Sequence, residues 1–231
     1  MKKFIQSYID IVFPATCSCC GHSLTNSESH LCVWCSQSRF EPVGCPLDLI
    51  LPEQVRLLFS MWHFDKDSYL QDLLHKLKYN HLRGVGIELG SLMGYALQQS
   101  DVWNQLFRHK AGSGLPVLVP VPLHPSKKRK RGYNQARALA EGLQSVTDWE
   151  ITGPSIVERV QKTRTQTGLN SRQRSKNVKG AFKVKKDPVW ESAYPIIVDD
   201  VFTTGATTFE LADAIKTECD NDCGILTVAL A

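Results

Sequence analysis

The chain has 231 residues, 42% of them hydrophobic and 22% charged, with 15 Gly and 11 Pro. That balance excludes a disordered, collagen-like or coiled-coil chain and suffices for a buried core without disulfide staples. The formal net charge is only +4, yet Lys127 to Lys186 holds 16 Lys and Arg against 4 acidic residues. This predicts a basic face suited to phosphate, whether of a nucleotide, a phosphosugar or a nucleic acid.

Met1 to Ile5 imitates the start of a signal peptide, but Gln6, Ser7 and Asp10 interrupt the apolar core that such a signal needs. The segment before Cys17 therefore reads as an amphipathic lead-in helix. No run approaches the roughly 20 apolar residues that span a bilayer, so no membrane insertion is expected, and without an export signal the expected location is cytoplasmic. In that reducing compartment the eight cysteines read as metal ligands or buried thiols rather than disulfides. Cys17-x2-Cys20 and Cys32-x2-Cys35, 11 residues apart, supply four thiolates for one tetrahedral, structural zinc ion. Cys19 competes with Cys17 for its place, His22 and His30 are substitute ligands, and a buried-thiol or redox role is the alternative to metal. Cys45, Cys219 and Cys223 lack such a set and read as packing residues.

Residues 1–45 thus form a zinc ribbon with its lead-in helix, 46–58, with Pro46 and Pro52, a linker, and 59–231 the main domain. Ser60 to Phe64 reads as a strand. Leu70, Leu73, Leu74 and Leu77 keep the i, i+3, i+4, i+7 spacing of a helix, and Ile87 to Leu97 repeats the pattern. Pro116 to Val121 is a predicted strand, Asn134 to Leu143 a helix, Pro195 to Val198 a buried strand, Thr207 to Lys216 a helix and Ile225 to Leu230 a final strand. Alternation of this kind predicts an α/β fold, a parallel sheet flanked by helices, with function at the carboxyl ends of its strands.

The strongest chemical signal is Ile196-Ile197-Val198-Asp199-Asp200-Val201-Phe202-Thr203-Thr204-Gly205-Ala206-Thr207. A buried strand ends in adjacent carboxylates, which can accept hydrogen bonds from a vicinal diol. The hydroxyl-rich loop that follows opens a helix whose N-terminal amides can seat a phosphate. A diol beside a phosphate is what a ribose 5-phosphate presents. The structural alternative is a helix capped by Thr203 or Thr204, which leaves the like-charged pair unexplained.

This segment resembles the phosphoribosyl diphosphate (PRPP) signature of type I phosphoribosyltransferases. With Cys17 to Cys35, Leu77-Lys78-Tyr79, Val119-Pro120-Val121-Pro122-Leu123-His124, Arg131-Gly132-Tyr133-Asn134-Gln135-Ala136 and Thr163-Arg164-Thr165-Gln166-Thr167-Gly168-Leu169, the chain resembles the competence protein F (ComF/GntX) family almost end to end. The resemblance implies a type I phosphoribosyltransferase-like domain that binds PRPP or a related ribose 5-phosphate with Mg2+. It also implies an association with DNA uptake in natural transformation. Asp199 and Asp200 would hold the ribose hydroxyls, and Thr203, Thr204, Gly205, Ala206 and Thr207 the 5-phosphate. The loop His124 to Arg131, with Lys128, would meet the diphosphate, and Arg164 lies in a segment, Lys162 to Lys179, that resembles the hood closing over PRPP. Phosphoribosyl transfer to an unknown acceptor is one implied activity. The alternative is a non-catalytic accessory protein of the competence machinery that binds single-stranded DNA or recruits a helicase. Lys76, Lys78 and Tyr79 otherwise read as a lysine-decorated helix end, favoured by the helix dipole.

Overall fold

The computed structural model describes residues 15–46, 48–64, 68–79, 82–108, 114–161 and 178–231. The predicted lead-in helix and most of the hood-like segment, Arg164 included, lie outside the described residues. A six-stranded sheet of order β1-β2-β8-β7-β3-β4 organises the rest. Its strands are β1 (Pro42–Gly44), β2 (Val55–His63), β3 (Leu115–Pro120), β4 (Glu150–Ile151), β7 (Ala193–Phe202) and β8 (Cys223–Leu230). All neighbours run parallel except β1, an antiparallel edge on β2. Strands β5 (Val157–Arg159) and β6 (Phe182–Val184) pair antiparallel in a separate two-stranded sheet. The expected α/β architecture is therefore present. The first predicted strand begins earlier than the apolar run suggests, at Val55.

Parallel strands buried on both faces need cover on each side. On one face Leu118, Ile196, Val198, Leu226 and Val228 pack with the helices α2 (Tyr69–Tyr79), α3 (Arg83–Gln98) and α6 (Gln135–Thr147). The leucine stripe Leu70, Leu73, Leu74 and Leu77 is wholly buried there, as its period predicts. On the other face Val117, Val119, Ile197 and Ile225 pack with α7 (Ala206–Cys219) and the β5–β6 pair. Two further helices are short, α1 (Val33–Gln37) and α4 (Asp101–Arg108). Among the described residues no helix is long and apolar enough to cross a membrane.

Where the sequence suggests a loop over His124 to Arg131, the structure forms a helix, α5 (Pro125–Arg131), with His124 as its cap. His124 accepts the Ser126 N–H through Nδ1, Pro125 opens the first turn, and Gly132, at φ 78°, turns its N–H back to the Lys128 carbonyl. Proline at the start and left-handed glycine after the end are the natural boundaries of a helix, and they outweigh repulsion along the basic run.

The chain passes from β3 outward to β4, then returns to β7 and continues on the other side to β8. The crevice between β3 and β7 is therefore the switch point of the sheet, where α/β folds open a binding cleft at the carboxyl ends. Helix α6 packs on β3 and β7 beneath it, and α3 packs on α6. Gly90 lies against the Leu139 carbonyl and Gly142 against that of Ile87, so that neither position has room for a Cβ. Gly90→Ala or Gly142→Ala would force the helices apart. Each is expected to lower unfolding stability by about 3 kcal/mol or more, read from urea denaturation, while Ala at exposed Gly21 would act only through its local backbone.

Candidate functional site

Four thiols converge in the ribbon. A turn closed by Gly21, whose N–H donates to the Cys17 carbonyl at 2.8 Å, brings Cys17 and Cys20 together. Cys32 caps α1 and Cys35 lies one turn inside it, so that three-residue spacing places both on one face. The ligand atoms of Cys17, Cys20, Cys32 and Cys35 all lie within 4.8 Å of one another. Cys20 and Cys32 Sγ are 3.7 Å apart, matching the roughly 3.8 Å between sulfurs on a tetrahedral zinc with Zn–S bonds of about 2.3 Å. The Cys32 N–H points at Cys17 Sγ, 3.3 Å away. The four residues fit a closed structural zinc site. Cys19 is buried beside Cys35 but outside the set. His30 stands outside the set, with its Nδ1 3.2 Å from Glu88 Oε2 and its Nε2 packed against Gly84.

The ribbon is docked rather than tethered. Glu88 on α3 accepts the backbone N–H groups of His30, at 2.8 Å, and Leu31, at 3.3 Å. Lys76 on α2 donates to the Ser18 carbonyl at 3.0 Å, and the Arg39 guanidinium sits 4.0 Å over the Tyr69 ring. An open groove of about 700 Å³ between ribbon and α2 is lined by Trp34, Arg39, Tyr69 and His22, among others.

The acidic pair occupies the last turns of the pleat in β7. Consecutive strand residues face opposite sides, and here each meets a cation of a different layer. Asp200, 9% exposed, faces the helical side and forms an ion pair of 2.6 Å with Lys78 at the end of α2. Asp199, half-buried, lies within the field of Arg159 on β5. Each carboxylate spends one oxygen on the next backbone N–H, Asp199 Oδ1 on Asp200 (2.9 Å) and Asp200 Oδ1 on Val201 (3.0 Å). Burial, then the charge of Asp200, pushes the Asp199 carboxyl well above the usual carboxylate range, and Lys78 offsets only part of this. Burial works against the Lys78 ammonium, but Asp200 and then Asp199 outweigh it and hold its pKa above the usual value.

More cations close the ring. Lys127 and Arg131, four residues apart, share one half-buried face of α5. Burial, and then the like charges of Arg159, Arg131 and Lys78, push the Lys127 ammonium below its usual value. Tyr133 donates its hydroxyl to the Leu77 carbonyl and ties the end of α2 to the turn after α5. Beyond the pair, Gly205 at φ 71° caps α7 without a side-chain bond, so neither Thr203 nor Thr204 takes the cap of the structural alternative. The first ladder bond of α7 runs from the Phe209 N–H to the Gly205 carbonyl (2.8 Å), leaving the amides of Ala206 to Thr208 outside the helix's own ladder. Thr204 Oγ1 is buried with no hydrogen-bond partner among the described residues.

Of the residues singled out in the sequence, Asp199, Asp200, Thr203 to Thr207, His124 and Arg131 are brought to one end of the sheet, whereas Lys128 is exposed on α5. Lys127 lies within the basic run that the sequence singles out, whereas Arg159 carries no local signal and Lys78 reads in the sequence as a helix-end lysine. Lys127 carries the signal that finds it, four residues before Arg131 in a helix that Pro125 and Gly132 delimit.

Competence protein F of Haemophilus influenzae is 31% identical over 64% of this chain and 62% of its own length, so the chain spans less than two thirds of that relative. The DNA utilization protein YhgH of Salmonella typhi is 30% identical over 86% of this chain and 83% of its own length. The chain belongs to the competence protein F family. Competence protein ComFC of Bacillus subtilis, 32% identical over 83% of this chain and 73% of its own length, is a further relative. No family profile matches the chain.

The protein, purified without chelator, is expected to carry about one equivalent of zinc. Elemental analysis should show it lost when Cys17, Cys20, Cys32 and Cys35 are changed to Ser. A folded, metal-free wild-type protein refutes the site.

Proposed function

We propose that this protein binds PRPP or a related ribose 5-phosphate, with Mg2+, at the carboxyl end of β7, and serves DNA uptake or utilisation. The observation that carries the ligand reading is the adjacent Asp199 and Asp200 carboxyl groups at the switch point, followed at once by the Gly205-capped start of α7. Ribose hydroxyls would replace part of the pair's ionic partnership, and the 5-phosphate would rest on the amides and hydroxyls of Thr203 to Thr207. In this reading Lys127 and Arg131 would meet the diphosphate on C1, with His124 at the cap of their helix. Because Lys78 already occupies Asp200, Mg2+ would enter with the diphosphate and not on the acidic pair. The role in DNA handling is supported by relatives named for competence and for DNA utilization.

Transfer is the further step of this reading. The C1–oxygen bond would break with its electron pair leaving on the diphosphate, while an acceptor supplies the new bond to C1 and releases a proton. Lys127 and Arg131 would stabilise the charge that develops on the leaving group. Among the described residues no side chain marks an acceptor, so binding is the activity proposed first.

PRPP with Mg2+ at a hundredfold excess over Kd should raise the melting temperature by about 5 °C or more. Asp199→Ala with Asp200→Ala should abolish the rise. Absence of a shift in the wild-type protein at millimolar ligand defeats the reading.

The groove beside the ribbon favours a second reading, contact with single-stranded DNA. Trp34 and Tyr69 are 59% and 47% exposed, and Arg39 stacks on the latter. Aromatic faces with a stacked cation receive bases without regard to sequence. Trp34→Ala should weaken binding of an oligothymidine about tenfold while leaving the salt slope intact. Neutralising Lys127 to Arg131 should flatten that slope if the strand crosses α5. Unchanged affinity in the Trp34 variant removes the groove from the interface.

A further inference from the structure

We propose that Gln135, the first residue of α6, is a binding residue for diphosphate: its carbonyl holds the Arg131 guanidinium, and its amide N–H group is donated to the anion that Arg131 meets. That this anion belongs to a phosphorylated ribose rests on the reading above; that Gln135 and Arg131 together take a diphosphate does not.

Chemistry fixes which way the side chain points. Arg131 Nη1 lies 3.0 Å from Gln135 Oε1, and a guanidinium has only donors to offer. The amide must therefore turn its oxygen to Arg131 and its nitrogen away, for the flipped amide would set donor against donor. Gln135 is 3% exposed, and its Nε2 has no hydrogen-bond partner among the described residues. A buried donor left unpaired destabilises a fold, and an apolar side chain of similar size would fill the position without that cost. Retention of the amide calls for an acceptor from outside the chain.

The position of the group says what that acceptor is. Asn134 Nδ2 donates to the Val121 carbonyl at 3.0 Å and ties the start of α6 to the carboxyl end of β3. The Val121 N–H in turn donates to the Val198 carbonyl, also at 3.0 Å, immediately before Asp199. Gln135 thus belongs to the β3 lip of the switch-point crevice. On the β7 lip stands Thr204, whose buried Oγ1 is likewise unpartnered. Unsatisfied polar groups on both lips of one crevice point to a polar ligand between them, and on the β3 side Arg131 and Lys127 call for its anionic end.

One amide then serves one ligand twice. Its oxygen restrains a long cation that would otherwise sample many rotamers, and its nitrogen adds a neutral donor beside the charge. A diphosphate carries enough acceptor oxygens to engage both groups. A 5-phosphate alone, seated at Thr203 to Thr207 in the reading above, leaves both unused.

Calorimetry on the full, zinc-loaded chain tests this with inorganic diphosphate and Mg2+, and then with PRPP and Mg2+. Gln135→Met should weaken both about tenfold or more and leave ribose 5-phosphate within about threefold. Without ligand, the same variant should keep or raise the urea midpoint, because the unpaired donor is gone. Made on Arg131→Met, the Gln135→Met change should cost a further factor of about three, the part that the amide contributes directly. Gln135→Leu replaces Met should the latter fail to fold.

Unchanged diphosphate affinity in the Gln135 variant overturns the proposal, as does equal weakening of all three ligands. A lowered urea midpoint shows the amide paired within the protein and overturns it too, and no added cost on Arg131→Met removes the direct contact. Inorganic diphosphate bound through Gln135 by a protein that ignores PRPP upholds the proposal and defeats the ribose reading. PRPP bound equally well by Gln135→Met does the reverse, and a wild-type protein that binds neither defeats both.

Discussion

Consecutive carboxyl groups in the central strand of a sheet repel one another and lose hydration; a raised pKa answers this at Asp199, and a cation delivered from another layer answers it at Asp200. Lys78 is that cation, and much of the fold is arranged to deliver it. The leucine stripe seats α2 on the sheet so that its last turn ends above β7. Tyr133 fastens that turn to the segment after α5. Arg159 approaches from the opposite face on a small sheet of its own. One electrostatic requirement thus recruits three elements distant in sequence.

The fold was largely legible because its signals are local. Leu70, Leu73, Leu74 and Leu77 announce α2 by period alone, and the apolar run of Ile196 to Val198 marks a strand buried on both sides. The ribbon was legible because thiol chemistry prescribes its spacing. What escaped notice arises between elements. The partnership of Lys78 with Asp200 links residues 122 positions apart, and no pattern near either one reports it. Pro125 and Gly132 did state the bounds of α5, but a basic run reads as solvated coil when charge alone is weighed. Lys127 and Arg131 share a face only because that stretch is helical.

The same asymmetry holds at the loop between β7 and α7. That it follows a strand and opens a helix could be read directly from hydroxyls and glycine. That Gly205 itself takes the cap, leaving Thr204 Oγ1 buried and unpartnered, is a property of backbone angles. Side-chain propensity favoured a threonine there, and the positive φ demanded by the turn overrode it.

Helix α2 touches the ribbon at Tyr69 and Lys76 and the acidic pair at Lys78, all within a rod of about 16 Å. The cysteine-rich segment is consequently no detachable ornament, although its sequence reads like one. Cutting it away would strip Tyr69 and Lys76 of their partners on the very helix that carries Lys78 to Asp200.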